Sequence, residues 1–243
     1  MLKVFSKSDI GLVRKSNEDA CKSGIFEDGA AWAVVCDGMG GVGGGDIASR
    51  IAVDRISERI LAGYAPGVSG EGIRRLMTEA VRDANDAVRD RAGEDETLSG
   101  MGTTVVVAVV SGDTARVAHA GDSRAYLISP DGIRQLTTDH SVVQEMVEKG
   151  DLTAQEARKH PQKNIITRAL GVESSLEVDF CEIGFPRGSR LLICTDGLTN
   201  YLDERQIFLL AKETDAEALT EQLVSQAKKA GGSDNITVTL VEN

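Results

Sequence analysis

Four aspartates stand where an apolar, strand-like run gives way to glycine or a polar turn. Trp32-Ala33-Val34-Val35-Cys36 stops at Asp37-Gly38, and Arg190-Leu191-Leu192-Ile193-Cys194-Thr195 stops at Asp196-Gly197. Val117-Ala118-His119-Ala120-Gly121 leads into Asp122, and Gly231-Gly232-Ser233 presents Asp234-Asn235 before the last apolar run. A carboxylate at a strand end is held rigidly and still reaches solvent. Four of them, spread from one end of the chain to the other, share a purpose if folding gathers them around hard cations, which take oxygen ligands.

The glycine loop after Asp37 invites a different reading. Gly38-Met39-Gly40-Gly41-Val42-Gly43 matches G-x-G-x-x-G, follows an apolar run and precedes a helical pattern, as dinucleotide-binding turns do. Three features oppose that reading. The first helix is followed by another helix rather than a strand, Asp37 would repel a pyrophosphate, and the acid expected about 20 positions on is matched only loosely by Glu58. The glycines instead allow a sharp turn, with Gly38 offering a main-chain oxygen to the cation that Asp37 would bind.

The elements that must position these residues follow from periodicity. Strands are expected at Leu2 to Ile10 and in a hairpin turning near Glu27-Asp28-Gly29, with Ala31 to Cys36 as its second arm. Helices are expected at about Asp46 to Leu61 and Gly72 to Arg91. The second has a clear apolar face of Ile73, Leu76, Met77, Ala80, Val81, Ala84 and Val88. Thr103 to Val110, Thr114 to Ala120, Arg124 to Ile128 and Gly132 to Leu136 read as an antiparallel meander. His140 to Ile166 is polar and weakly helical. Strands near Leu176 to Ile183 and Arg190 to Thr195 follow, then helices near Asp203 to Ala211 and Ala216 to Ala230, and a strand at Ile236 to Val241. Strand blocks separated by helix pairs, with no βαβ unit, indicate α+β. Two antiparallel sheets packed face to face, with a helix pair on each outer face, would bury every apolar face in one domain spanning residues 1–243.

Composition narrows the partners. The 243 residues carry 27 basic and 38 acidic side chains, a net charge of −11, which argues against nucleic-acid or anionic-membrane surfaces. The four cysteines (Cys21, Cys36, Cys181, Cys194) form no CxxC pair, and Cys36 and Cys194 sit in apolar runs as small hydrophobes. No window approaches 18 uninterrupted apolar residues, and Met1 to Ile10 lacks a signal-peptide core. The expectation is a cytoplasmic protein with no membrane insertion.

Six short motifs occur in order: Arg14-Lys15-Ser16-Asn17-Glu18-Asp19, Asp37-Gly38-Met39-Gly40-Gly41, Gly100-Met101-Gly102-Thr103-Thr104, Gly121-Asp122-Ser123-Arg124, Asp196-Gly197 and Gly232-Ser233-Asp234-Asn235. Together they resemble the metal-dependent type-2C (PPM) serine/threonine protein phosphatases, most closely the bacterial single-domain branch, over Ser8 to Val241. The resemblance implies a β-sandwich flanked by helix pairs and two Mn(II) or Mg(II) ions per chain. It implies that Asp37 bridges the two ions and Gly38 adds its carbonyl oxygen. Asp196 and Asp234 would complete one ion's shell, Glu18 would hold the other through water, and Asp122 with Asp196 would form a third site. Arg14 matches the arginine that grips the substrate phosphate, where a planar fork suits two oxygens. Residues 140–166 match the family's flap. The implied substrates are phosphorylated proteins, in bacteria those of a cognate Ser/Thr kinase; a monomer is the default.

Chemistry supports a two-ion reading. Phosphate monoester hydrolysis is among the slowest uncatalysed reactions. Two cations about 3.5–4 Å apart can share one water, lower its pKa toward neutrality and clamp the ester oxygens. A water or hydroxide bridging the ions would then attack directly. Carboxylate and carbonyl oxygens suit Mg(II) and Mn(II), and the sequence holds no D-x-D-x-T signature. The pattern departs from the family at the leaving-group acid: Met39 stands where eukaryotic members place histidine, and Val42 where some bacterial relatives do. The proton donor is left open among a metal-bound water, His140 and His160; His119, inside a strand, reads as a core histidine. A catalytically inactive phosphoprotein-binding module is the alternative, although every matched ligand position is filled. A calcium-regulated structural protein would need the contiguous D-x-D-x-D-G loop that is absent here.

Overall fold

Ala31–Met39 and Val105–Ser111 are buried along nearly their whole length, so polar–apolar alternation is lost there because both faces are covered. The computed structural model describes residues 1–41 and 43–243; Val42, one of the two positions where a histidine was sought, lies outside the described residues. The first elements are β1 (Lys3–Asp9), β2 (Asp19–Ile25), β3 (Ala31–Met39), α1 (Gly44–Gly63) and α2 (Gly70–Glu94). Then come β4 (Gly102–Thr103), β5 (Val105–Ser111), β6 (Thr114–Ala120), β7 (Arg124–Ser129), β8 (Gly132–Gln135), α3 (Val142–Glu148) and α4 (Ala154–Ala157). The chain finishes with β9 (Asp179–Gly184), β10 (Arg190–Cys194), α5 (Asp196–Thr199), α6 (Glu204–Glu213), α7 (Ala216–Ala230) and β11 (Ile236–Glu242).

The strands form two antiparallel sheets, one ordered β1-β11-β10-β7-β8 and the other β2-β3-β5-β6-β9, with β4 paired to the end of β3. Side chains alternate across each strand, and this sorts the core into three layers. Ala33, Val35, Val106, Ala108, Leu191 and Ile193 meet between the sheets. Their neighbours Trp32, Val34, Cys36 and Val107 face the other way, under Ala52 and Ile56 of α1 and Met77 and Val81 of α2. On the opposite outer face Leu192, Cys194, Val238 and Leu240 lie beneath Ile207 of α6 and Leu219 and Leu223 of α7. The α+β, four-layer α-β-β-α expectation therefore holds.

Two local expectations need correction. The four strands from Thr103 to Leu136 are not one meander: β5 pairs with β6 and β7 with β8, but β6 and β7 lie in different sheets. The chain changes sheets at Gly121-Asp122-Ser123, where Gly121 takes φ 112°, a left-handed conformation open to glycine. The strand expected at Thr103 to Val110 is split, because Gly102 and Thr103 leave their neighbours to pair with Met39 and Gly38. Both departures occur at strand ends that carry candidate site residues. Helix ends are fixed by side chains as capping rules require: Asp203 and Gln206 form a capping box on α6, and Asp215 caps α7.

Leu192→Ala, which opens a cavity under α6 and α7, is expected to cost about 2–5 kcal/mol. At about 2–4 °C per kcal/mol for a chain of this size, differential scanning calorimetry should show the unfolding midpoint falling accordingly.

Candidate metal centre

Strand register, not side-chain attraction, brings the acids together. Asp19 opens β2 directly opposite Asp37 near the end of β3, while Asp122 sits at the change of sheet. Asp196 begins α5 straight after β10, and Asp234 precedes β11. Backbone and hydroxyl contacts then lock the positions. Asp37 N–H donates to Thr104 Oγ1 at 3.0 Å, and its carbonyl accepts from Thr104 N–H at 2.9 Å and Thr103 Oγ1 at 2.9 Å. The Thr104 hydroxyl meets Ser123 Oγ at 2.7 Å, which ties the Asp37 strand end to the residue after Asp122. Asn235 binds three loop positions, accepting from Glu18 N–H at 2.8 Å and donating to the Ile10 and Ser16 carbonyls at 3.0 Å each. It thereby sets Glu18 beside Asp234.

Gly38 answers the question raised by the glycine loop. A Cβ there would collide with the Gly45 and Glu18 carbonyl oxygens, and Gly38 N–H donates to Glu18 O at 3.1 Å. The glycines let α1 start against the strand end; close backbone contact accounts for them, and β3-α1-α2 contains no dinucleotide-binding unit. Gly197 has the same need, since a Cβ would strike the Asn235 carbonyl.

The electrostatics follow from this crowding. Burial pushes the Asp37 carboxyl well above the usual range, and the negative charges of Asp19, Asp196, Asp122 and Asp234 push it further. Burial, then Asp196 and Asp139, raise Asp122 to about 8. Burial raises Asp19 to about 7, with Asp196 and Asp234 adding to it and hydrogen bonds from Thr237 and Thr195 opposing. Asp196 is raised by burial and then by Asp234, while Asn200, Lys163 and Arg14 oppose. Burial raises Glu18, with Asp46 and Asp234 adding to it and Arg14 opposing. Four aspartates whose charges converge on a fifth, Asp37, form one negative recess.

The structure thus brings together Glu18, Asp37, Asp122, Asp196 and Asp234. Arg14 stands at the rim, half-exposed, its guanidinium donating to Asp234 Oδ2 at 2.8 Å. Asp19 was not singled out by the strand-then-glycine pattern because it opens a strand instead of closing one. Its signal was its place opposite Asp37 in a hairpin. The Thr195 hydroxyl donates to Asp19 Oδ2 at 2.9 Å, while Oδ1 is buried with no partner among the described residues. An orphaned carboxylate oxygen inside a cluster of like charges is satisfied by a cation, and an all-oxygen donor set suits Mg(II) or Mn(II) over softer metals. The residues fit the ions that their types suggest.

The histidines divide. His119 is a buried core residue with Nε2 2.9 Å from the Thr138 carbonyl. Both ring nitrogens of His140 are engaged by Gly121 and Asp179, which removes it as a proton donor. His160 Nδ1 accepts from Gln162 N–H at 3.2 Å within the 140–166 segment. That segment covers a cleft of about 440 Å³ whose walls include Asp122, Asp196, Arg158 and Asn200. Lys163 Nζ donates to Asn200 Oδ1 at 2.8 Å across it, and Asn200 Nδ2 donates to Asp196 Oδ2 at 2.9 Å.

Comparison with known proteins agrees with this geometry. Residues 13–240 match the protein phosphatase 2C family. The chain is 39% identical over 240 residues to the serine/threonine phosphatase stp of Listeria innocua, covering 97% of this chain and 94% of that one. It superposes on the serine/threonine phosphatase Stp1 of Staphylococcus aureus with a TM-score of 0.94 and 34% identity, covering 100% of this chain and 95% of the other. The catalytic domain of the phosphatase PstP, in complex with two manganese ions, matches at TM-score 0.86 and 29% identity, covering 99% and 97%.

The pKa of Asp122 yields a sign. A carboxyl near 8 when folded, and near 4 when unfolded, binds its proton more tightly in the native state. Its contribution is complete below about pH 4 and is lost as pH rises to about 8. In EDTA, Asp122→Asn is therefore expected to gain on the wild type in unfolding midpoint as pH rises from 5 to 8, reaching a few degrees. Thermal melts across that range, repeated in Mn(II) where the order should reverse, check this.

Proposed function

The chain belongs to the protein phosphatase 2C family and is a metal-dependent serine/threonine phosphatase of phosphoproteins; on that premise we propose how its residues do the work. Divalent ions, Mn(II) or Mg(II), would be held by the Asp37 carboxylate and the Gly38 carbonyl, with Asp196 and Asp234 as further ligands of one ion, Glu18 on the side of the other, and Asp122 with Asp196 at a third. The observation that carries this reading is the crowding of carboxylates around Asp37, whose own carboxyl is pushed well above the usual range by burial and by its four acidic neighbours, marking a need for positive charge. The manganese-bearing PstP relative supports the same number of principal ions.

Bound ions would supply positive charge against the phosphoryl oxygens and bring the pKa of an attacking water toward neutrality. The chain's own residues do the rest. Arg14, held at the rim by Asp234, has further N–H donors of its planar fork to offer a phosphate dianion. Thr104 and Thr103 fix the Asp37 backbone so that its carboxylate needs no reorganisation during the reaction. Met39, at the position of the eukaryotic histidine, cannot donate a proton, and with both His140 ring nitrogens engaged a water or His160 is left to protonate the leaving alkoxide.

Residues 1–243 act as one catalytic domain. The 140–166 segment is a flap that contacts the substrate chain beside the recess, pinned through Lys163 and Asn200. No helix among the described residues is long and apolar enough to cross a membrane. We assign the chain to the cytoplasm as a monomer acting on products of a cognate Ser/Thr kinase.

With a phosphothreonine peptide and Mn(II), Asp37→Asn and Asp196→Asn are each expected to lower kcat/KM by about a thousandfold or more, roughly 4 kcal/mol of transition-state stabilisation. Near wild-type turnover in either variant would sink the assignment. Arg14→Ala should raise KM by about tenfold, the scale of one lost charge-assisted contact, with kcat falling less; an unchanged KM removes its phosphate role.

A further inference from the structure

Gly121, immediately before Asp122, is clasped by His140 in both directions. His140 N–H donates to the Gly121 carbonyl at 3.0 Å, and Gly121 N–H donates to the His140 ring at Nδ1, 3.1 Å away. A ring nitrogen that accepts carries no proton, so the neutral imidazole has its single proton on Nε2. Nε2–H faces Asp179 Oδ2 at 3.3 Å. The Arg168 guanidinium also stands 3.1 Å from Nε2, but two donors cannot bond each other. Its partners are Asp179 Oδ1 at 3.0 Å and Glu177 at 3.0 Å. His119 stacks on the His140 ring at 4.7 Å between centroids. Burial, His119 and Arg168 all favour the uncharged ring.

His119, His140 and Asp179 bring one ligand atom each within 4.8 Å of one another, close enough for a metal ion. Arg168 already provides the cation of that cluster, so its chemistry is orientation of the ring. A carboxylate fixes which imidazole nitrogen is protonated, and the other nitrogen then holds a backbone amide, as partners of metal-site residues do elsewhere. On the far side of the same turn, Ser123 is held by Thr104 and Arg124 by Asp139 at 2.8 and 2.6 Å. The His140 clasp is the remaining side, at a glycine whose φ of 112° is not set by strand pairing.

We propose that His140 is a positioning residue for Asp122: its Nδ1, held in the accepting state by Asp179 and Arg168, captures Gly121 N–H and aims the Asp122 carboxylate into the recess. The proposal rests on the reading of Asp122 as a ligand of the third, weakest ion.

Two substitutions separate the accepting atom from the ring volume. His140→Asn keeps an acceptor near the Nδ1 position, whereas His140→Leu keeps bulk and loses it. Mn(II) titration calorimetry on folded proteins, with Asp122→Asn alongside, is the test. Asp122→Asn should abolish the weakest site. His140→Leu should weaken that site by about 10–100-fold, leave the tighter sites unchanged, and add nothing in the Asp122→Asn background. His140→Asn should stay within about threefold of wild type. If Asp122→Asn keeps every site, the third-ion reading fails and the proposal falls with it. If Asp122→Asn loses the site but His140→Leu keeps it, or if Asn and Leu behave alike, the proposal alone is overturned. Should His140→Leu not fold, Asp179→Ala, whose side chain is 46% exposed, carries the test by the same criterion.

Discussion

Like-charge repulsion at one rim of the sandwich is the constraint on which the rest of this structure depends. Asp19, Asp37, Asp122, Asp196 and Asp234 come from five different strand or helix ends, and the charges of the other four all raise the proton affinity of Asp37. Nothing local would keep them together. The three apolar layers supply the stability that does, because apolar area removed from water offsets the electrostatic cost at the rim. The sheets contribute rigidity, since a residue at the end of a paired strand cannot retreat from its neighbour without breaking the ladder. Register thus becomes electrostatics.

Small polar groups convert that rigid frame into aimed carboxylates. Thr104 holds the backbone of Asp37 and reaches Ser123. The Thr195 hydroxyl accepts from Thr237 N–H while donating to Asp19, and Asn235 gathers the loop that carries Glu18. Each hydrogen bond stabilises by only about 1 kcal/mol, yet each is made to backbone or to a short side chain with few rotamers. Their value is in direction more than in energy. Arg14 is the contrasting case, a long exposed side chain at the rim, suited to a ligand that arrives and leaves.

Much of this was legible in the sequence, and for identifiable reasons. Asp37, Asp122 and Asp196 each close an apolar run beside a glycine, and Asp234 stands between a glycine turn and the last apolar run, so local pattern alone marks them. The helix pairs were legible from periodicity, as with Ile73, Met77, Val81 and Val88 on α2, all buried in the outer layer. Asp19 was not marked, because its importance lies in a cross-strand neighbour 18 positions away. The change of sheet at Asp122 was equally hidden: turn signals announce that a strand ends, not which sheet the next one joins. The His140 clasp was invisible for the same reason, being a contact between a flap residue and a glycine 19 positions earlier. The family resemblance reached the fold and the phosphatase activity; long-range geometry had to come from the structure.

The central claim is that the rim carboxylates are cation ligands centred on Asp37. Anomalous diffraction at the manganese edge, on crystals of this chain grown with Mn(II), tests it most directly. The expected result is two strong peaks that share Asp37 as a ligand, one of them also bound by Asp196 and Asp234 and one contacting the Gly38 carbonyl. Peaks confined to other positions, such as the His119–His140–Asp179 cluster, or full occupancy with Asp37 unbound, would contradict the account.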